Sequence, residues 1–456
     1  MKDSFYESLY SRFVQEIRTG RLKAGSRMPS VRRCAEDLGV SRNTVVGAYN
    51  LLLSEGYIYS KERSGYFVAD FESLPPIVSS GYHPNAKHAI KDRERNKGDN
   101  LIDLSANLVD STLFPYSTLR RLYRETLTGP NNSILVNAGM NMGDEDLRAS
   151  IAEYVFREKG ISCESSQVVI GNGTSFHLQM IALLFSQMYG RRALVLMENP
   201  GFEGARGILE DAGCEIRSVN LDQEGATIGE IRVMTEGVLG PILLHISPSH
   251  QFPMGVTMSA PRRAAVLDWA SSGENRFIIE DDYDSDFRYN GHPIAPICSM
   301  DSRGKVIYIG TFSRTLTPSI RLSYMILPHN LLMSYEEKFS RYPCPVSRID
   351  QKVVSLFIDQ GFFERHINRM RRIYKNRRNM MVQIIKEVYP SADILGDEAG
   401  LHFIMKSPIE ELAMVERAKQ AGFKIQGTGT GYLVIGYAHL SEEQMKRFGI
   451  FLKDVQ

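Results

Sequence analysis

Five short apolar segments in the second part of the chain each run into a polar or glycine-rich cluster, and this repeated arrangement leaves few folds open. The segments at 167–170, 193–197, 242–246, 277–279 and 306–309 read as buried strands. They are followed by GNGTS at 171, ENPGFEG at 198, SPSHQFP at 247, EDDYDSDF at 280 and GTFSRT at 310, and a sixth candidate strand lies at 323–327. Helical stretches separate them, which predicts an α/β domain with a largely parallel sheet over residues 99–456. In open α/β sheets ligands bind beyond the carboxyl ends of the strands, where all five clusters would meet. One ligand pocket is expected there.

Residues 1–70 read as a separate small unit. Tyr6, Leu9, Tyr10, Phe13, Val14 and Ile17 recur at helical spacing up to Gly20. A second helix starts at Ser30 and stops at Gly39, and a third starts at Ser41, buries Val45, Ala48, Tyr49 and Leu52, and ends at Gly56. Segments 57–59 and 66–68 flank a polar turn at 61–65, so three helices and a hairpin predict a winged helix-turn-helix. Between 71 and 98, Pro75, Pro76, Ser79, Ser80, Gly81 and Pro84 precede a charged run without apolar period, which reads as a linker. Fully extended, it would reach up to ~95 Å.

Composition supports two domains and narrows the environment. At 456 residues the chain exceeds the size at which one core keeps growing, and 43% hydrophobic with 23% charged residues is an ordinary globular composition. Lys plus Arg (54) nearly cancels Asp plus Glu (53), so affinity for nucleic acid must come from a local surface. No apolar run suits a bilayer span or a signal peptide, and a cytoplasmic location is expected. Cys34, Cys163, Cys214, Cys298 and Cys344 form no CxxC pair and are expected to be reduced and buried.

The recognition helix of a helix-turn-helix enters the major groove by its first residues, here Ser41, Arg42, Asn43 and Thr44, with Arg32 flanking. Residues 1–70 hold eleven Lys/Arg against eight Asp/Glu, which allows a basic face; docking to a protein partner is the alternative. In the large domain, Gly173, Thr174 and Ser175 can cradle a phosphate at a helix start, or form only a turn. Asp281 can hold a pyridine nitrogen protonated, and Tyr283 can donate to a ring oxygen. Phe202 stacks on a ring or packs in the core, and His250 is a ligand contact or a hydrogen-bonded loop histidine.

The segment PSVRRCAEDLGVSRNTVVGAYNLLLSEGYIYSKERSGYFV resembles the winged helix of GntR-type bacterial regulators. That resemblance implies DNA contacts at Arg32, Ser41, Arg42, Thr44 and the wing-tip Gly65. GDEDLRASIAEYV at 143, ENPGFEGAR at 198, SPSHQFPMG at 247, IEDDYDSDFRY at 279, GTFSRTLTPSIRLSYMILP at 310, RHINRMRRIYKNRR at 365 and AGLHF at 399 resemble the MocR/GabR subfamily. Its members join that winged helix to a fold type I pyridoxal 5'-phosphate (PLP) domain. The resemblance implies a smaller C-terminal α+β subdomain, a homodimer, a long interdomain helix over the arginine-rich stretch, and a phosphate cup including Thr311, Ser313 and Arg321.

One position departs from the subfamily. Its G-T-F-S-K lysine forms a Schiff base with PLP, whereas this chain has Arg314 there. A guanidinium stays protonated and cannot attack an aldehyde, but it can bind phosphate or carboxylate bidentately. The expectation is a regulator that binds operator DNA and senses a small effector, PLP or a PLP–amine adduct held non-covalently, without catalysis. The long linker would let winged helices swap between the two chains. A PLP aminotransferase using another lysine and a ligand-free dimerisation scaffold are the alternatives; Lys305 is expected to point away from the pocket.

Overall fold

The computed structural model describes residues 5–62, 64–70, 101–106, 108–129, 135–289 and 294–455; the expected linker at 71–98 lies outside them. The chain divides into two compact units, Met1–Lys97 and Gly98–Gln456.

In the first unit, α1 (Phe5–Arg18), α2 (Val31–Leu38) and α3 (Arg42–Ser54) precede a hairpin of β1 (Ile58–Lys61) and β2 (Gly65–Val68). Ser30 and Ser41 cap α2 and α3 by accepting from the amides of Arg33 and Thr44, and Gly39 ends α2 at φ 62°, where a side chain would be strained. Helix α3 stops at Ser54, two residues before the expected Gly56. The strands pair through to Lys61 and Gly65, so the hairpin turn is tighter than the 61–65 loop read from sequence. Val45, Ala48, Tyr49 and Leu52 are fully buried against Leu9, Phe13 and Ile17, as their spacing predicts. Each large side chain removed from water contributes roughly 1.5–3 kcal/mol. The Tyr49 hydroxyl donates to the Pro29 carbonyl at 2.9 Å and so ties α3 to the start of α2.

The second unit opens with β3 (Ile102–Asp103), α4 (Tyr116–Thr128) and α5 (Glu145–Lys159). A run of alternating elements follows: β4 (Val168–Gly171), α6 (Thr174–Tyr189), β5 (Leu194–Asn199), α7 (Glu203–Asp211), β6 (Glu215–Asp222), β7 (Gly225–Ala226), α8 (Ile228–Thr235), β8 (Ile242–Ile246), α9 (Ala260–Ser271), β9 (Arg276–Asp282), α10 (Ile297–Met300), β10 (Val306–Thr311) and β11 (Ser323–Ile326). They build one eight-stranded sheet in the order β4-β11-β10-β9-β8-β5-β6-β7. Strands β10, β9, β8, β5 and β6 are parallel; β11 pairs antiparallel with both β10 and β4, so β4 runs with the parallel set. The carboxyl ends of β4, β5, β8, β9 and β10 therefore lie on one edge. All six expected strands are present, while β6 was not foreseen: EIRSVNLD is polar and mostly uncovered, with only Val219 fully buried.

Helices α11 (His329–Phe339), α12 (Arg348–Asp359) and the 27-residue α13 (Phe362–Val388) lead into the smaller C-terminal α+β part. There β12 (Ile394–Leu395), β13 (His402–Lys406), α14 (Glu411–Gln420), β14 (Phe423–Lys424), β15 (Gln426–Gly427), β16 (Tyr432–Gly436) and α15 (Glu442–Val455) form a four-stranded antiparallel sheet, β12-β13-β16-β15, backed by helices. Strand β3 pairs parallel with β14, so the first residues of the unit complete its last subdomain. Among the cysteines, Cys34 alone is buried; Cys163, Cys214, Cys298 and Cys344 are half-buried, a correction to the expectation of full burial, and all five are free thiols. They occupy the margins of the cores, where a small side chain is only partly covered.

Candidate functional site

In the winged helix, Arg32, Ser41, Arg42 and Asn43 are exposed around the start of α3, and Thr44 is half-buried. The Ser41 and Thr44 hydroxyls face each other at 2.8 Å while Ser41 caps the helix, so both first serve α3 itself. Arg32 meets Glu36 at 3.0 Å in an exposed pair one helical turn apart, a contact weak enough to yield to phosphate. Arg42 forms no ion pair among the described residues. Gly65 begins β2 at φ 98°, and a Cβ there would lie 3.6 Å from the Arg27 guanidinium. Arg27 is exposed beside the wing and was missed from sequence; backbone pairing of residues 25–28 with β2, the bridge between Arg27 and Phe67 included, brings it there.

In the large unit the five cluster segments converge on a cleft of about 290 Å³. Gly173, Thr174, Ser175, Phe202, Asp281, Tyr283, Thr311, Ser313, Arg314 and Arg321 all line it, joined by Ser247, Phe252 and Pro318. At one end α6 starts without a side-chain cap, so its first amides point at the cleft with the positive end of the helix dipole. Gly173 adopts φ 136°, and a Cβ there would come within 2.7 Å of the Arg321 guanidinium. Its amide donates to the Ser323 hydroxyl at 2.8 Å, which pins the turn to β11. Arg321 itself takes a left-handed φ of 47°, unique among the described non-glycine residues. A left-handed Arg321 and a turn conformation open only to glycine at 173 thus set a guanidinium beside the uncapped start of α6, the makings of an anion cradle.

Asp281 is buried at the carboxyl end of β9, with its Oδ2 at 3.4 Å from His245 Nε2. Glu198 lies near both, and burial raises its pKa to about 7 against the opposing hydrogen bond from Gln251. Sequence reading passed over His245 and Glu198, although both sit at the ends of strands that carry the clusters. The Phe202 ring is 40% exposed, so it is no core residue; it meets Phe252 edge-on, and Phe252 meets Tyr283 likewise. Burial raises the Tyr283 pKa well above its usual value and keeps the phenol protonated as a donor.

His250 does not line the cleft. It is buried behind Tyr283, with Nδ1 at 2.9 Å from Asp284 Oδ2 and Nε2 at 3.2 Å from the Gly396 carbonyl. Burial disfavours the charged ring, yet Asp284 outweighs it and raises the pKa. The loop-histidine alternative therefore describes its place. The Arg314 guanidinium lies 6.0 Å from the centre of the Tyr283 ring; burial lowers its pKa while Asp284, Tyr283 and Asp281 oppose that. No lysine is among the described residues lining the cleft. Lys305 donates to the carbonyls of Gly273 and Glu274, before β9 begins and so at the opposite end of the sheet, as expected. Lys159 is buried in ion pairs with Asp282 and Asp286.

Comparison with known proteins matches residues 5–68 to the bacterial regulatory proteins of the gntR family and residues 102–448 to aminotransferase class I and II. The chain is 35% identical to the uncharacterized HTH-type transcriptional regulator YhdI of Bacillus subtilis, over 98% of this chain and 95% of that protein. It is 32% identical to the probable rhizopine catabolism regulatory protein MocR of Rhizobium meliloti, over 97% and 91%. The HTH-type pyridoxine biosynthesis transcriptional regulator PdxR of Corynebacterium glutamicum is 26% identical over 96% and 94%. Among solved structures, a Pyrococcus horikoshii kynurenine aminotransferase shares the fold with TM-score 0.69 and 24% identity, covering 79% of this chain and 92% of that one.

Proposed function

The chain belongs to the MocR-like HTH-type transcriptional regulators, a gntR-family winged helix fused to an aminotransferase class I and II domain, and on that premise we propose that it senses a small ligand held non-covalently in the cleft. The observation that carries this reading is a cleft equipped for an aromatic phosphate in which Arg314, and no described lysine, faces the ligand space. PLP fits the donor set. The start of α6 with Thr174, Ser175, Thr311, Ser313 and Arg321 would hold its phosphate, Asp281 its ring nitrogen, Tyr283 its ring oxygen and Phe202 one ring face. When bound, PLP supplies an electrophilic aldehyde and an electron-poor ring.

Arg314 would serve as a carboxylate clamp instead of a nucleophile, because guanidinium keeps its proton and its fork matches two oxygens. A PLP–amine adduct bearing a carboxylate would then use both Arg321 and Arg314. A regulator of pyridoxine biosynthesis among the relatives agrees with a ligand built on that ring. Residues 1–70 would bind operator DNA, and two chains would form a homodimer in the bacterial cytoplasm, with winged helices exchanged between them.

Borohydride treatment of PLP-loaded protein followed by peptide mapping tests the reading. No pyridoxyl-lysine is expected, and dialysis should remove the ligand. Arg314→Lys should retain PLP through dialysis and gain a red-shifted absorption band. A pyridoxyl-lysine in the unaltered chain, with turnover of an amino donor, would make the protein an aminotransferase. Failure of either protein to bind PLP would assign the cleft to another ligand.

A further inference from the structure

Three buried groups meet behind Tyr283, outside the cleft. His250 follows β8, Asp284 follows β9 and His402 opens β13, and none of them is more than 2% exposed. One ring nitrogen of each histidine and a carboxylate oxygen of Asp284 lie within 4.8 Å of one another. No other group of His, Cys, Asp and Glu side chains among the described residues gathers in this way.

Hydrogen bonds decide which of these atoms are available. His402 Nε2 lies 3.1 Å from the Pro253 carbonyl and His250 Nε2 lies 3.2 Å from the Gly396 carbonyl. A carbonyl oxygen only accepts, so both rings donate from Nε2, and a neutral ring then keeps its lone pair on Nδ1. His402 Nδ1 is buried without a partner, which is a rare state for a polar atom. Burial, and next the neighbouring His250, hold the pKa of this ring well below its usual value, so it stays neutral. His250 Nδ1 faces Asp284 Oδ2 at 2.9 Å, with the Tyr283 hydroxyl 3.2 Å from the same nitrogen. Gly400, at φ 75°, covers the pair with backbone alone, because a Cβ there would overlap both His250 Nδ1 and Asp284 Oδ2.

We propose that His250 Nδ1, Asp284 and His402 Nδ1 bind a divalent transition-metal ion of the zinc class. Two imidazoles and one carboxylate are a donor set that suits Zn²⁺, and donation of the second ring N–H to a carbonyl is the usual outer support of a metal-bound histidine. Tetrahedral zinc holds its ligand atoms roughly 3.3 Å apart, so the widest gap closes by at most roughly 1.5 Å around the ion. Without an ion, a proton on His250 Nδ1 bridges to Asp284, and the metal takes that proton's place. Arg288 and Arg314 act on the two rings from nearby, so the site needs Asp284 ionised and both rings neutral. Binding therefore weakens as pH falls. The ion would tie two strand ends of the eight-stranded sheet to β13 of the C-terminal part, directly behind Tyr283. The inference does not depend on which ligand fills the cleft.

Titrating the chelator-treated full chain with zinc chloride against a chromophoric chelator, without PLP, tests the site. One ion per chain is expected, with release of a proton. His402→Phe, which keeps a ring of similar size, should weaken binding by about 100-fold or more, and Asp284→Asn should weaken it at unchanged shape. Circular dichroism and gel filtration check that each variant is folded. Zinc held equally by the unaltered chain and a folded variant would overturn the site. An unaltered chain that binds no zinc at neutral pH would overturn it too, leaving a proton-bridged His–Asp pair and the reading of the cleft untouched. Anomalous scattering from zinc-soaked crystals of the unaltered chain decides even if neither variant folds. A peak among the three side chains is expected, and peaks only elsewhere would refute the assignment.

Discussion

Glu198 ends β5 beneath the cleft, 5% exposed, with one carboxylate oxygen accepting from the Ser247 amide and Gln251 and the other without a partner. Because burial raises its pKa from 4.5 to about 7, the folded protein binds more protons than the unfolded chain between those values. Stability contributed by the neutral acid is full below pH 4.5 and is lost as pH rises toward 7. Glu198→Gln should therefore gain on wild type by up to about 3 kcal/mol at pH 8 and lose most of that advantage at pH 5. Paired denaturant titrations at the two pH values measure this, and an advantage of equal size at both would refute it. Taking the difference cancels Glu280, whose pKa burial also raises to about 7. Residue chemistry at strand ends was legible: Asp281 and Tyr283 stand out as a carboxylate and a phenol just past a buried strand. The partners beneath them were not, since His245 and Glu198 come from two other strands.

Among the elements, α3 depends on its first residue. Ser41 accepts from the Thr44 amide at 3.1 Å, one of the donors that a helix start otherwise leaves open. Ser41→Ala should destabilise the winged helix by about 1 kcal/mol, and Ser41→Asp should restore most of that. Hydrogen exchange at the first amides of α3 in the intact chain measures both; unaltered protection in the alanine variant would deny the cap its role. Capping signals are local, so Ser30, Gly39 and Ser41 could be read directly. The end of α3 could not, because Glu55 closes it by hydrogen bonds to Leu51 and Leu53 that carry no residue preference. Strand β6 escaped for a related reason: its backbone pairing with β5, and not an apolar pattern, makes it a strand.

At the scale of the molecule, Tyr116, Leu127, Val136 and Met140 are 59%, 51%, 84% and 55% exposed within one stretch of the large unit. A homodimer would cover apolar surface of this kind. Sedimentation of the full chain should give twice the chain mass at micromolar concentration; a monomer that still binds DNA would exclude it.

Periodicity, caps and strand-end clusters depend on neighbours within a few residues, so the sequence alone determined the winged helix, the α/β sheet and most, though not all, of the residues that line the cleft. Three matters waited for tertiary structure. His250 left the cleft because Asp284 and Gly396 hold its ring from positions 34 and 146 residues away. The arginines of α13 divided into an inner and an outer set only when carboxylates from distant elements met some and not others. Strand β3 found β14 across most of the unit. Each outcome depends on which groups the fold brings within hydrogen-bonding distance, a property of the packed chain that no local pattern records.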